Sequence, residues 1–377
     1  MRVAIVGCGF VAEYYVQSLP AYPQLQVVTV MDIDPERALA FSRFYRLPPP
    51  RETLAAILED DSIDMVLNLT NPDSHYAVTK ACLEANKHVF SEKPVAMQFE
   101  QAQELFQLAE ARGLQLGCAP GSILSETAQG LWRALRAKHV GDVRLVYAEI
   151  DDGLTHKMPY RRWLSAMGRP WPYRDEFEVG CTLEHAGYYV NWLTAFFGPA
   201  HRVNAFAHAV YPHQGLADPL DRISPDFSVA CIEFESGVVA RLTCSIVARV
   251  SQKLQFFGDR GILSIDDAWD YRTPVRVERY LNIRRKMLVV PARRYPLPHS
   301  PHRRMRGTHP IEFSRAPAYL ATAIERQQPS PLPGDYTLHN NEIVLAIQAA
   351  TEGGRTVNLQ TRFTPIAPLA WADDTTR

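Results

Sequence analysis

The sequence has almost no net charge, few cysteines and no long apolar run. Its 40 Lys and Arg nearly cancel 41 Asp and Glu, which excludes a strong overall attraction to nucleic acid or to an anionic membrane. The six cysteines lie far apart without a C-x-x-C pair, unlike those of a disulfide-stapled secreted domain. No apolar stretch reaches the roughly 18 residues that a membrane span needs. We therefore expect a cytoplasmic protein with neither a nucleic-acid nor a membrane partner, and no metal site.

The length of the chain and a change of pattern after Gly121 predict two domains. A chain of 377 residues exceeds what one compact core usually organises. Short apolar runs at residues 2–6, 26–32, 65–69, 88–91 and 114–117 alternate with helical patterns, as in a doubly wound, Rossmann-type parallel sheet. Longer runs at 143–150, 227–234, 238–246 and 253–257 are separated by turn residues, which indicates antiparallel pairing. The prediction is an α/β domain over residues 1–121 and an α+β domain with a large, open-faced sheet over 122–377.

A glycine motif follows the first predicted strand directly. The segment Gly7-Cys8-Gly9-Phe10-Val11-Ala12 is a G-x-G-x-x-A that opens a helix, and Asp32 ends the second strand 20 residues after Ala12. In this arrangement the glycines allow a tight turn and a close approach of a pyrophosphate, while the acid accepts hydrogen bonds from the adenosine ribose. The residues expected to bind a dinucleotide here are Gly7, Gly9, Phe10, Val11, Asp32, Ile33 and Arg37. Asp32 favours NAD because it repels a 2′-phosphate, whereas Arg37 leaves NADP possible.

Further motifs resemble one enzyme family. The resemblance to the Gfo/Idh/MocA oxidoreductases is carried by Ser91-Glu92-Lys93-Pro94, Asp32 to Arg37, Thr70-Asn71-Pro72 with His75, Val140 to Val143, Gly258 to Gly261 and Leu338 to Glu342. It implies that Thr70, Asn71, Pro72 and His75 lie along the nicotinamide half of the cofactor, with Glu92 near its ribose and Lys93 at the reacting centre. It also implies a cis peptide bond between Lys93 and Pro94.

Lys93 has a chemical argument of its own. It follows a buried parallel strand at the carboxyl end, which is where such sheets bind ligands. Its ammonium group can polarise a carbonyl or stabilise an alkoxide during hydride transfer. Without the flanking motif, a solvated lysine at a strand end would be the better interpretation.

The helical pattern at residues 183–197 carries the candidate acid–base residues. The family places an Asp and, four residues later, a His or Tyr at the start of this helix, and the matching positions here hold Glu184 and Tyr188. A phenol can pass a proton when a lysine lowers its pKa. His185 lies on a neighbouring stripe about 100° around the helix and has the better pKa for acid–base work. We expect one stripe to face the reacting centre, with Glu184 and Tyr188 favoured and His185 retained.

Two other segments allow more than one interpretation. Residues 279–306 contain nine Lys or Arg and no acid, which suits an anionic substrate but more often indicates a solvated loop or a subunit contact. Residues 160–174 are rich in Tyr, Trp and Arg, which suit a polyol ring or simply pack a loop. Strands 227–234 and 238–246 are apolar on both sides, so we expect a homodimer or a homotetramer.

The leading functional hypothesis is hydride transfer between a nicotinamide cofactor and a hydroxyl- or keto-bearing carbon of a sugar, a cyclitol or a similar small molecule. A second hypothesis is a reductase of another carbonyl or conjugated compound, since the family it resembles includes biliverdin reductase. A third is a cofactor-binding regulatory protein without turnover. Lys93 argues against the third hypothesis, whereas Glu184 at the position of the usual Asp mildly supports it.

Overall fold

The computed structural model describes residues 1–302, 309–351 and 354–373, which divide into two compact units. The first unit contains residues 1–121, 159–176 and 309–341. The second contains residues 122–158, 177–302 and the described part of 342–373. The first unit thus includes two segments that come after Gly121 in the sequence.

The first unit is built on a five-stranded parallel sheet, which confirms the Rossmann-type prediction. The strand order is β2-β1-β3-β4-β5. Its strands are β1 (Arg2–Val6), β2 (Gln26–Met31), β3 (Met65–Asn68), β4 (His88–Ser91) and β5 (Leu116–Cys118). Its helices are α1 (Phe10–Ser18), α2 (Pro35–Tyr45), α3 (Leu54–Leu58), α4 (Pro72–Glu84) and α5 (Phe99–Ala111). The strand order reverses between β1 and β3, because the chain continues from β1 to one side of the sheet and from β3 to the other. Sheets of this type bind ligands in the crevice beyond the carboxyl ends of these two strands.

The second unit contains a nine-stranded, mostly antiparallel sheet of order β13-β12-β11-β10-β6-β9-β8-β7-β14. Only the β6–β9 pair among these neighbours is parallel. The strands are β6 (Val143–Asp151), β7 (Ala200–His208), β8 (Phe227–Phe234), β9 (Val239–Ser245), β10 (Leu254–Gly258), β11 (Gly261–Ile265), β12 (Val275–Ile283), β13 (Lys286–Tyr295) and β14 (Arg355–Asn358). The helices of this unit are α6 (Glu126–Arg136) and α8 (Gly187–Phe197). Helix α9 (Arg315–Glu325) belongs to the first unit, and the residues of α7 (Tyr173–Val179) and α10 (Gly334–Gln348) are divided between the two units.

The two faces of this sheet differ more than the sequence suggests. Ile232 and Leu242 lie on the buried face, which is almost fully enclosed. The opposite face of β8 and β9 carries Glu233, Arg241 and Thr243 beside its apolar residues and is half-exposed. The expectation that these strands are apolar on both sides is therefore wrong, because side chains alternate along each strand and the charged ones share one face.

The described residues contain no helix that is both long and apolar enough to cross a membrane. All six cysteines are free thiols, and only Cys231 is exposed. Among the same residues, no three His, Cys, Asp or Glu side chains form a cluster able to hold a metal ion.

Candidate functional site

The two glycines of the motif after β1 have different roles. Gly7 has φ +93°, and a Cβ atom there would lie 2.5 Å from the carbonyl oxygen of Leu69. Gly9 has an ordinary extended conformation, and a Cβ atom there would meet nothing within 4 Å. Gly9 is also the N-cap of α1 without a side-chain cap, so the first amides of that helix are open to an anion. Gly7 is required by the packing of β1 against β3, and Gly9 keeps space clear at the helix start.

The Asp32 carboxylate lies against the glycine motif. Its Oδ2 atom accepts a hydrogen bond from the Cys8 amide at 2.8 Å, and its Oδ1 atom accepts one from the Asp34 amide at 2.9 Å. The Arg37 guanidinium lies 3.4 Å from Oδ1. Burial and the charge of Asp32 raise the pKa of the Cys8 thiol to about 12, so Cys8 is not a nucleophile here. The Ile33 side chain is 91% exposed and offers an apolar surface next to this carboxylate.

The loops after β3 and β4 are joined by His75. Its ring is almost fully buried, with Nδ1 2.6 Å from the Pro94 carbonyl oxygen and Nε2 2.9 Å from the Thr70 carbonyl oxygen. Burial lowers the pKa of His75 below its ordinary value. Asn68, which sequence reasoning missed, accepts a hydrogen bond from the Thr70 hydroxyl at 2.7 Å. His75 is thus enclosed and positions the two loops. Asn71 lies at the amino end of α4, and its side-chain amide donates to the Asp175 carboxylate at 3.2 Å.

The Glu92-Lys93-Pro94 motif is held in place by hydrogen bonds of the Glu92 carboxylate. The Lys93–Pro94 peptide bond is cis, as the family resemblance implies. Glu92 accepts hydrogen bonds from the Tyr15 hydroxyl at 2.6 Å and from the Lys93 amide at 3.0 Å. Lys93 itself is half-buried at the end of β4. The carboxylate of Glu92 therefore fixes the backbone from which the Lys93 side chain extends.

The candidate acid–base residues of the second unit gather around Trp269. Residues Thr182–Ala186 form a π-helical turn, and the α-helix begins only at Gly187, later than the sequence predicts. The ring of Tyr188 lies edge-on to Trp269 with centroids 4.5 Å apart, and that of His185 does so at 5.8 Å. The His185 Nε2 atom is 3.9 Å from the carboxylate of Asp152.

The contact of both Tyr188 and His185 with Trp269 differs from the expectation that they lie on separate stripes of the helix, only one of which faces the reacting centre. His185 and Tyr188 are three residues apart, and residues with that spacing are neighbours on a helix surface. Glu184 precedes them in the π-helical turn and is half-buried. Sequence reasoning missed Asp152 and Trp269. Asp267 is a local signal for the turn that carries Trp269, because an Asp side chain commonly accepts hydrogen bonds from the backbone amides that follow it in a tight turn. Here it accepts from the amides of Trp269 and Asp270.

The basic segment lies mainly on the outermost hairpin of the large sheet. Its described members on β12, β13 and the turn between them are all exposed: Arg279, Arg284, Arg285, Lys286, Arg293 and Arg294. Arg303, Arg304 and Arg306 lie outside the described residues. Charged side chains along an edge strand discourage the pairing of that edge with other chains.

Known protein families match segments of both units. Residues 1–119 match the oxidoreductase family with an NAD-binding Rossmann fold, and residues 129–264 match the GFO/IDH/MocA C-terminal domain. Over 272 residues the chain is 25% identical to trans-1,2-dihydrobenzene-1,2-diol dehydrogenase of Bos taurus, covering 71% of this chain and 75% of that protein.

Two solved structures share the fold. A 3-ketoreductase from Actinomadura kijaniata in complex with NADP has a TM-score of 0.70 and 21% identity, covering 93% of this chain and 97% of that one. UDP-N-acetylglucosamine 3-dehydrogenase from Acidithiobacillus ferrooxidans has a TM-score of 0.66 and 19% identity, covering 93% of this chain and 98% of that one. The two family matches, which together span most of the chain, show that it belongs to the GFO/IDH/MocA family of NAD(P)-dependent oxidoreductases.

Proposed function

We propose that this oxidoreductase moves a hydride between NAD(P) and a hydroxyl- or keto-bearing carbon of a sugar, a cyclitol or a related cyclic diol. The observation that carries the proposal is the position of Lys93 just after the carboxyl end of β4, where the Glu92 carboxylate holds the Lys93 backbone amide. The names of the three relatives support the substrate class, because they specify a ring diol, a 3-keto compound and a nucleotide-linked sugar.

The side chains divide the chemistry as follows. When bound, the nicotinamide ring supplies or accepts the hydride. The Lys93 ammonium group stabilises the oxygen on which negative charge develops. Tyr188 exchanges the proton of the alcohol, and Glu184 orients the substrate through its hydroxyl groups. His185, with Asp152 beside it, is the alternative proton-transfer group.

The cofactor preference follows from Asp32. A carboxylate at this position accepts hydrogen bonds from the ribose hydroxyls of NAD and repels the 2′-phosphate of NADP. We therefore propose NAD as the preferred cofactor.

The test measures the change in reduced-cofactor absorbance with a panel of polyols and keto-sugars, for the wild type and for Lys93→Met. Turnover is expected to fall by about 100-fold or more in Lys93→Met, because the ammonium group acts mainly in the transition state. The dissociation constant of the cofactor should change by less than about threefold. Near-normal turnover of the variant would refute the role of Lys93. A wild type that binds the cofactor but turns over no compound of the panel would instead favour another carbonyl substrate or a regulatory protein.

A second pair of variants separates the two proton-transfer candidates. Tyr188→Phe removes the hydroxyl and keeps the ring against Trp269, so turnover should fall by about 100-fold or more at saturating cofactor. His185→Asn should lower turnover much less if its role is to position the Tyr188–Trp269 pair. Full turnover of Tyr188→Phe together with loss in His185→Asn would assign the proton transfer to His185.

A further inference from the structure

A short loop in the first unit presents one arginine to the glycine motif. We call residues 164–170 the Arg169 loop. Leu164 and Pro170 form a bridge between its ends, and the amide of Ser165 donates to the Arg169 carbonyl oxygen at 2.8 Å. The Arg169 amide donates back to the Ser165 hydroxyl at 3.1 Å, and Gly168 takes φ +76°. The tight turn therefore fixes the point from which the Arg169 side chain extends.

The Arg169 loop is attached to both parts of the predicted ribose site. Arg169 Nη1 donates to the Cys8 carbonyl oxygen at 3.0 Å, and Nη2 donates to the Arg37 carbonyl oxygen at 3.3 Å. The amide of Met167 donates to the Glu13 carboxylate at 3.1 Å. Because the Cys8 amide is itself bonded to Asp32, the Arg169 guanidinium lies beside the residue that holds the ribose-binding carboxylate.

The charges around Asp32 are unevenly paired. Arg37 is shared between two carboxylates, those of Asp32 at 3.4 Å and Asp34 at 3.5 Å. Within the described part of the chain, no carboxylate lies within salt-bridge distance of Arg169, whose side-chain hydrogen bonds go to the two backbone carbonyls. A guanidinium has five N–H donors, so further donors remain for an anion. Arg169 is thus a half-buried positive charge without an acidic partner at the edge of the ribose site.

We propose that Arg169 binds the 2′-phosphate of NADP, so that this site can accept NADP as well as NAD. In this fold an arginine near the ribose accommodates the 2′-phosphate, and a guanidinium binds phosphate oxygens with paired, charge-assisted hydrogen bonds. Arg37 cannot supply this alone, because its charge already offsets Asp32 and Asp34. The inference rests on the proposed dinucleotide site, and it makes the selectivity of that site depend on a loop far away in sequence.

The experiment titrates the fluorescence of NADH and NADPH with the wild type, Arg169→Met and Arg169→Lys. Arg169→Met should weaken NADPH binding by about tenfold or more and NADH binding by less than about twofold, since a hydrogen-bonded charge pair is worth roughly that factor. Arg169→Lys should restore part of the NADPH affinity. Competition by adenosine 2′,5′-bisphosphate and by 5′-AMP, which differ only in the 2′-phosphate, should show the same selective loss. Arg43→Met is the matched control, because it removes an exposed charge from the same helix as Arg37 and should change neither affinity.

The outcomes separate this inference from the proposed function. An equal loss of NADH and NADPH affinity in Arg169→Met would place the guanidinium on the pyrophosphate or give it a purely structural role, and would overturn the inference. Unchanged affinities would overturn it as well. A wild type that binds neither dinucleotide would refute the proposed function itself.

Discussion

Single buried side chains fix the loops that carry the candidate catalytic group. The His75 ring lies between the carbonyl oxygens of Thr70 and Pro94, and when neutral it donates to one of them. Glu92 joins the Tyr15 hydroxyl to the amide of Lys93. All of these contacts lie within the protein, so the chain's own side chains hold the two loops. This kind of support allows a side chain such as Lys93 to act without a large reorganisation.

His75 also makes a prediction about pH. Burial lowers its pKa, so below about pH 6.5 the unfolded chain binds a proton more readily than the folded chain does. The stability that neutral His75 contributes is therefore fully present above pH 6.5 and is lost as the pH falls below it. His75→Asn should cost about 1–3 kcal/mol at pH 8 through the lost contacts, and its melting temperature should fall less than that of the wild type between pH 7.5 and 5.5.

Melting curves of the wild type, His75→Asn and the control His208→Asn over that range test this. His208 is exposed at the end of β7, so its replacement should leave both the stability and the pH dependence unchanged. If His75→Asn follows the wild-type pH dependence, His75 does not titrate in the way that its burial implies.

At the scale of elements, the turn between β1 and α1 offers a matched pair of variants. Gly7→Ala would drive a methyl group against the Leu69 carbonyl in a conformation that alanine rarely adopts, so it should cost about 1–3 kcal/mol or more. Gly9→Ala has free space and should change stability by less than about 1 kcal/mol. Because that space lies at the start of α1, Gly9→Ala should instead weaken dinucleotide binding.

Urea unfolding and dinucleotide titration of the two variants give the comparison. Equal stability of Gly7→Ala and the wild type would contradict the packing described for β1 and β3. Unchanged dinucleotide affinity of Gly9→Ala would remove the pyrophosphate from the start of α1.

At the scale of the whole molecule, the half-exposed face of the large sheet predicts self-association. Leu145 is 37% exposed on β6 and Phe206 is 45% exposed on β7. The face also carries paired charges, since Arg241 contacts Glu149 at 2.8 Å and stacks on Tyr147 at 4.1 Å from the ring centre. Aromatic side chains and arginine are enriched at subunit interfaces, and this face carries Phe206, Tyr147 and Arg241, so we keep the prediction of a homodimer or a homotetramer.

Light scattering at micromolar concentration tests this prediction with two variants. Phe206→Asp should shift the protein to a lower oligomeric state, because it buries an unpaired charge in the interface. Phe44→Asp, which changes a 53% exposed residue on α2 in the first unit, is the control and should leave the mass unchanged. A monomeric wild type would exclude the interface.

The sequence by itself determined the elements whose signals are local. The glycine motif with Asp32, the Pro35 start of α2 and the Glu92-Lys93-Pro94 motif predict the nucleotide-binding half, because turn geometry, helix starts and strand ends are written within a few residues. The alternating strands predict the class of the second sheet for the same reason.

Only the tertiary structure decided which distant residues meet. It placed Arg169 on the glycine motif and Trp269 beside both His185 and Tyr188, contacts that bridge 161 residues in the first case. It also showed β12 and β13, whose exposed charged residues hide the strand pattern. Such contacts depend on how whole elements pack, and packing is a property of the folded chain that no local stretch of sequence contains.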